Sequence, residues 1–325
     1  MAYTVTEESF DSLTSYWTDK SHRLRWGSVF VLPIWLKAWW QVFGSGAELY
    51  LCSVREGDKI IGIAPLAIRD KEASLVGSTD VCDYVDFVVV PGMETDFFVA
   101  LLDNLRHKGI SKLHLEPLRA DSTVINGLKT LAQKQGYNVL CRRVDVTLEL
   151  GLPPTWEEYL GMLQAKQRHE LGRKMRRLGE EGEVNYRTIE DSKATGVIDT
   201  FLKLFTESRQ DKAAFMTPKR EEFFRFMVEV MAEARLLRFG ILELRAQPVA
   251  MVMCFDNGDV IYLYNSGYEP QYSSLSVGII SKALCIKDSI KRGRKRFDFL
   301  KGAERYKYQL GGMEIPLYSC QITIG

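Results

Sequence analysis

The sequence predicts an α/β protein built as two similar halves, each a mixed sheet with flanking helices. Three observations carry this. Runs rich in β-branched and aromatic residues alternate with stretches of helical period along the 325 residues. Glu56-Gly57-Asp58 and Ala246-Gln247-Pro248 each sit between two strand-like runs, as hairpin turns do. Gly151-Leu152-Pro153-Pro154 interrupts the pattern near the middle and divides 1–150 from 151–325.

In the first half, Pro33 starts a short helix that carries Trp35, Trp39, Trp40 and Phe43 inward. Strands are expected at 49–54, 60–68, 84–90, 112–116 and 139–150. Helices are expected at 96–106 and 122–135, closed by Gly109 and Gly136. In the second half, Thr155 with Glu158 forms a capping box that opens one helix running to Gly182. A strand at 184–189, helices at 197–209 and 218–235, and strands at 237–244, 249–256 and 260–268 come next. A loop, a helix, a buried strand at 297–300 and a terminal strand or hairpin at 315–324 complete the chain.

The composition is that of a soluble globular chain, with 46% hydrophobic and 26% charged residues. Lys and Arg number 43 against 42 Asp and Glu, a net charge of +1, so any anion site must be local. No run approaches the roughly 20 apolar residues of a membrane span. Residues 1–10 contain Glu7 and Glu8 and no apolar core, unlike a signal peptide. The cysteines at 52, 82, 141, 254, 285 and 320 are widely spaced and form no C-x-x-C, which reads as reduced thiols in a cytoplasmic protein. The four histidines show no metal-ligand spacing, so no metal is expected.

The chemistry concentrates near the C-terminus. Gln271 to Gly278 links a strand to a helix carrying Ile279, Ile280, Ala283, Leu284, Ile286 and Ile290. The free N–H groups at that helix start suit a phosphate, with Ser273, Ser274, Ser276, Val277 and Gly278 as candidates. Many serine-rich turns of this type hold no ligand. Asp298 alternates with Phe297 and Phe299, which reads either as a satisfied buried carboxylate or as a general base. Glu304, Tyr306 and Lys307 come just after Gly302. Lys307 could neutralise a phosphate or a developing oxyanion, and the alternative is a solvated charged loop.

The run Phe297-Asp298-Phe299-Leu300-Lys301-Gly302-x-Glu304-x-Tyr306-Lys307-x-x-x-Gly311 resembles the signature of the CelD/BcsL-type acyltransferases. These belong to the GNAT superfamily and are related to the Fem-type aminoacyl transferases. Phe30 with Pro33-x-Trp35-Leu36 and Trp39, Asp83-Tyr84-x-Asp86, Pro248-x-Ala250, Tyr264, Gly267-Tyr268-x-Pro270 and Tyr272 are similar to further elements of that family. The resemblance implies two tandem GNAT-like domains with mixed, mostly antiparallel sheets, an acceptor-side N-terminal domain and a C-terminal domain with the acyl-donor loop. It implies acetyl-CoA or another acyl-CoA as donor and a sugar or amine acceptor, often in cell-envelope polysaccharide biosynthesis, with peripheral association with envelope machinery. Asp298 or Glu304 would be the base, Lys307 would lie near the reacting carbonyl, and Tyr264 would protonate the leaving thiolate. Tyr268 and Tyr306 would contact substrate. Val277 stands where the family commonly has proline, and so adds an N–H at the helix start.

Lys166, Arg168, Arg173, Lys174, Arg176 and Arg177 crowd one segment between the halves. This is either a solvated helix face or a site for an anionic acceptor, for which Arg168 and Arg173 are the best candidates. Two alternatives to acyl-CoA transfer remain open in sequence. One is Fem-like transfer from aminoacyl-tRNA, and the other is a non-catalytic GNAT-like scaffold in polysaccharide assembly.

Overall fold

Residues 3–77 and 80–325 are described by a computed structural model. The chain opens with β1 (Tyr3–Glu7) and α1 (Phe10–Thr18), whose N-terminus is closed reciprocally by Ser9 and Ser12. Pro33 takes the first position of α2 (Pro33–Phe43). Then come β2 (Glu48–Glu56), β3 (Lys59–Arg69), β4 (Glu72–Leu75), β5 (Val88–Val89), α3 (Glu94–His107), β6 (Lys112–Arg119), α4 (Lys129–Lys134) and β7 (Asn138–Gly151). Next are α5 (Trp156–Met162), α6 (Ala165–Glu180), β8 (Val184–Glu190), α7 (Ile198–Ser208), α8 (Gln210–Phe215) and α9 (Pro218–Glu233). The last elements are β9 (Leu237–Leu244), β10 (Gln247–Asn257), β11 (Val260–Tyr268), α10 (Val277–Lys291), β12 (Arg296–Lys301), α11 (Arg305–Gln309) and β13 (Met313–Thr323).

The chain forms two compact units, Met1–Val146 with Ile315–Gly325, and Thr147–Glu314. In unit 1 the strands lie in the order β1-β2-β3-β4-β6-β13-β7, with β5 beside β3. The β4/β6 pair is parallel, while β1/β2, β2/β3, β3/β4 and β6/β13 are antiparallel. In unit 2 the C-terminal part of β7 leads the order β7-β12-β11-β10-β9-β8, in which only the β11/β12 pair is parallel. Each unit is therefore a mixed, mostly antiparallel sheet with one parallel pair bridged by a helical crossover, α3 in unit 1 and α10 in unit 2. Phe97, Phe98, Leu101 and Leu105 of α3 are buried, and Phe201, Phe205, Phe223, Phe224, Phe239 and Phe255 fill the unit 2 core. Each such ring contributes about 2–3 kcal/mol by leaving water.

Several expectations are corrected. The helix expected from 155 to 182 is two helices, because Gln164 adopts an extended backbone and starts a new capping box with Gln167. Of the strand expected at 84–90, only Val88–Val89 forms, because Asp86 is drawn away from the sheet. Its carboxylate accepts from Thr123 Oγ1 at 2.6 Å, Thr123 N at 2.9 Å and Phe87 N at 2.9 Å. Cys141 and Cys320, expected as free thiols, form a disulfide between β7 and β13 with a Cα separation of 4.2 Å. Cys52, Cys82, Cys254 and Cys285 are free and buried. Residues 315–325, expected with the second half, belong to unit 1.

Burial raises the Asp86 carboxyl to about 6, against the opposing pull of the Thr123 and Phe87 donors. Removing a buried acceptor strands those donors. We expect Asp86→Ala to cost about 2–3 kcal/mol of stability, read as a lowered Tm in thermal melts. An unchanged Tm would show that this network does not hold the 84–87 segment.

Candidate active site

The parallel pair in unit 2 is short. Val260, Ile261 and Tyr262 of β11 register with Arg296, Phe297 and Asp298 of β12, and beyond them the two strands carry no mutual pairing. The cause lies in β12. Asp298 is fully buried, and its carboxylate accepts from Leu300 N at 2.8 Å and from Thr147 Oγ1 at 3.2 Å. The register with β7 slips between Asp298 and Leu300, and Leu300 takes a left-handed φ of 62° that a leucine adopts only when its surroundings hold it there. Asp298 thus bends the end of β12 away from the regular ladder.

Lys307 fixes the loop beyond this bend. Its side chain is 2% exposed, and Nζ donates to the carbonyls of Leu300 at 2.9 Å, Lys301 at 2.6 Å and Gly302 at 3.1 Å. Glu304 Oε2 lies 2.8 Å from the same ammonium. Gly302 has φ +105°, and a Cβ there would fall 2.7 Å from the Glu304 carboxylate, so glycine is required for the turn. The loop between β12 and α11 is therefore wrapped around one cation.

Two further lysines interact electrostatically with Glu304 of this loop. Lys282, on α10, is 7% exposed, donates to Gly278 O at 2.8 Å, and places Nζ 4.7 Å from the Tyr306 ring centroid. Burial, reinforced by the charge of Lys212, pushes its ammonium down to about 7, while Glu304 pulls the other way. Lys212, on α8, donates to Ser266 O and lies 4.9 Å over the Phe205 ring. Burial, together with Arg209, pushes it down to about 8, against Asp211 and Glu304. A lysine amine that is partly neutral near pH 7 can accept a proton, and one that stays charged can stabilise an anion.

The start of α10 is open. Ser276 takes φ +61° at the cap and makes no side-chain cap bond, and the N–H groups of Val277 and Gly278 have no acceptor among the described residues. Beside this end lies a cavity of about 580 Å³ lined by Lys166, Gln167, Glu170, Lys174, Ile279 and Arg305, among others. Lys174 Nζ reaches Ser276 Oγ at 3.2 Å. Three cationic side chains against one carboxylate give this cavity a positive balance, and with the helix start it suits a phosphate-bearing ligand.

The residues singled out in sequence fall into five groups. Glu304, Lys307 and Tyr306 come together with Lys282, and Ser276, Val277 and Gly278 form the open helix start. Ser273 and Ser274 are exposed in the preceding turn, and Tyr268 packs on Gly278, whose Cβ would fall 3.1 Å from the Tyr268 ring. Asp298 has no exposed surface, and Tyr264 is 8% exposed, packed on Phe224 and Phe255. Arg173 pairs with Glu170 and Arg168 reaches Leu160 O at 3.5 Å, while neither lines the cavity. Sequence reasoning missed Lys282, Lys212 and Arg305 and named Lys174 only as part of a basic run. A lone lysine inside Ile279-Ile280-Ser281-Lys282-Ala283-Leu284 was the available signal for the first. Among the described residues no group of three or more His, Cys, Asp and Glu side chains is placed to hold a metal ion, and no helix is long and apolar enough to cross a membrane.

Residues 165–308 match the acetyltransferase (GNAT) domain family. The crystal structure of FemX is similar with a TM-score of 0.67 at 10% identity, covering 98% of this chain and 96% of that one. The C-terminal domain of a putative lysylphosphatidylglycerol synthetase from Agrobacterium fabrum is similar with a TM-score of 0.60 at 10% identity, covering 97% and 92%. A tandem GNAT protein from the clavulanic acid biosynthesis pathway is similar with a TM-score of 0.53 at 11% identity, covering 100% and 99%. No curated protein matches the chain in sequence. The fold is that of tandem GNAT proteins, and the family match falls on the segment that carries the candidate site.

The depressed Lys282 ammonium has a measurable cost. With a folded value of about 7 against an ordinary 10.5, the unfolded chain binds the extra proton between those limits. The penalty is full below pH 7 and vanishes as pH rises through 10.5. We therefore expect Lys282→Met to raise stability by about 2–4 kcal/mol at pH 6–7, with the gain shrinking at pH 10, in denaturant titrations at the two pH values. A gain independent of pH would contradict a buried, strained ammonium.

Proposed function

We propose that the chain is an acyltransferase that moves an acetyl or other acyl group from acyl-CoA to an amine or hydroxyl. The observation that carries this is the open N-terminus of α10, which adjoins a cationic cavity and leads, one turn further along the same helix, to Lys282 at the β12–α11 loop. The donor's diphosphate would rest on the Val277 and Gly278 N–H groups, with Lys174, Lys166 and Arg305 offsetting phosphate charge. Its thioester would then enter where β11 and β12 cease to pair.

There the acceptor nitrogen or oxygen attacks the thioester carbonyl, its proton passes to the Lys282 amine, and Glu304 relays it to water. The tetrahedral oxyanion collapses with loss of the C–S bond, and the departing thiolate takes a proton back from water, matching the one released by the acceptor. Holding both reactants in one notch supplies much of the rate. Asp298 serves as a positioning residue for the bent strand, and Lys307 as the cation that shapes the loop. The resemblance to CelD/BcsL-type enzymes supports an envelope sugar or related amine as acceptor. The exposed arginines of α6, Arg168, Arg176 and Arg177, favour a second reading, transfer from an aminoacyl-tRNA whose backbone they would contact.

Calorimetry with acetyl-CoA and a labelled-tRNA gel shift separate the two readings. We expect acetyl-CoA to bind in the micromolar range and Lys174→Ala to weaken it about tenfold. No acyl-CoA binding together with a tRNA shift would replace the first reading by the second.

In an acceptor assay, Lys282→Met should lower kcat about 10²–10⁴-fold with KM little changed, and the wild-type rate should rise through an ionisation near pH 7. A wild-type profile flat between pH 6 and 8 would remove Lys282 from the proton path.

A further inference from the structure

Unit 1 holds a second cavity, of about 340 Å³, between the C-terminal end of α2 and the β3–β4 turn. One wall is aromatic. Trp39 is 8% exposed, whereas Trp40 and Phe43 are half-buried. The Trp39 ring centroid lies 6.4 Å from that of Trp40 and 5.8 Å from that of Phe43, with interplanar angles of 43° and 42°. Gly44 makes this possible, because a Cβ there would fall 2.5 Å from the Trp40 ring.

The facing wall is polar, formed by Arg69, Asp70, Glu72, Ser74 and His114. Arg69 Nε donates to Gly46 O at 2.9 Å, and Glu72 accepts from Lys112 at 3.0 Å with His114 Nε2 at 2.8 Å. These contacts hold three of the polar groups in place. Three others are uncommitted, since the Trp40 indole N–H, the Ser74 hydroxyl and the Asp70 carboxylate have no hydrogen-bond partner among the described residues.

A core role accounts for Trp39, which anchors α2, but it leaves unexplained a half-exposed indole beside unpartnered donors and acceptors. An anionic ligand is disfavoured by Asp70 and Glu72, and a wholly apolar one would desolvate Arg69 and Asp70 without replacing their bonds to water. The cavity fits a molecule with one apolar face and a dense rim of groups that both donate and accept. A pyranose has that surface, with C–H bonds on one face and hydroxyls around the edge. The volume stands at the lower end of the roughly 300–1,000 Å³ of small-molecule sites, enough for one or two sugar rings.

We infer that unit 1 binds a neutral pyranose in this cavity, its C–H face stacked on Trp40 and its hydroxyls held by Asp70, Ser74 and Arg69. This site does not depend on the acyl-transfer reading of unit 2.

Titrating the full chain with D-glucose, D-galactose, N-acetyl-D-glucosamine and maltose, with tryptophan fluorescence and calorimetry as readouts, tests it. At least one sugar should saturate with a Kd of about 1 mM or below, and Trp40→Ala should weaken it by about tenfold or more. Asp70→Asn and Ser74→Ala should each weaken it severalfold with an unchanged melting curve. Asparagine tolerates the left-handed φ of 49° at position 70, so this variant decides the matter even where Trp40→Ala fails to fold. The proposal is overturned when no sugar saturates by ~50 mM, when all three variants bind as the parent does, or when choline binds in place of sugars and marks a cation site.

Discussion

The Lys307 ammonium, closed in by three carbonyls and one carboxylate, is the interaction on which the rest of unit 2's candidate site depends. A buried cation costs heavily unless its donors are satisfied, and here every donor has an oxygen within reach. The arrangement forces the carbonyls of Leu300, Lys301 and Gly302 to converge, which a regular strand does not allow. Leu300 accepts a left-handed backbone and Gly302 a positive φ to make it so. Glu304 and Tyr306 are set by the same wrap, and with them the surroundings of Lys282.

Around that loop the charges are balanced so that some groups stay uncommitted. Glu304 is shared among Lys307, Lys282 and Lys212. One carboxylate cannot fully compensate three ammonium groups in a region of low dielectric. Lys307 has three carbonyls around its ammonium. Lys282 has one carbonyl and an aromatic face, and it is the group whose proton is most easily lost. Chemically identical side chains are thus set apart by their unequal surroundings.

Much of the fold was legible because it rests on local signals. Pro33 starts its helix, Glu56-Gly57-Asp58 turns its hairpin, and the long apolar runs of β10 and β11 form as their period requires. The parts that were not legible depend on contacts between distant segments. Residues 84–87 have strand propensity, yet Asp86 is held by Thr123, 37 positions on, and no propensity records that. Cys141 and Cys320 are 179 residues apart, so their pairing has no spacing signature. The site shows the same split. Glu304, Tyr306 and Lys307 lie in one motif and were found together, while Lys212 and Lys282 join them only through folding. Asp298 was visible as a carboxylate, but whether it faces solvent or the Leu300 amide depends on a one-residue slip in register.

The return of β13 to unit 1 has a consequence for synthesis. Unit 2 is an insertion in the chain order of unit 1, placed between β7 and β13. Unit 1's sheet exposes the edge of β6 until Leu317 to Thr323 arrive to pair with Arg119 to Lys112. All of unit 2 emerges from the ribosome during that interval. An open edge of this kind pairs readily with the wrong strand, whether from this chain or another. The first unit to be translated is thus the last to be finished, and a nascent chain stalled anywhere in unit 2 carries an unsealed sheet behind it.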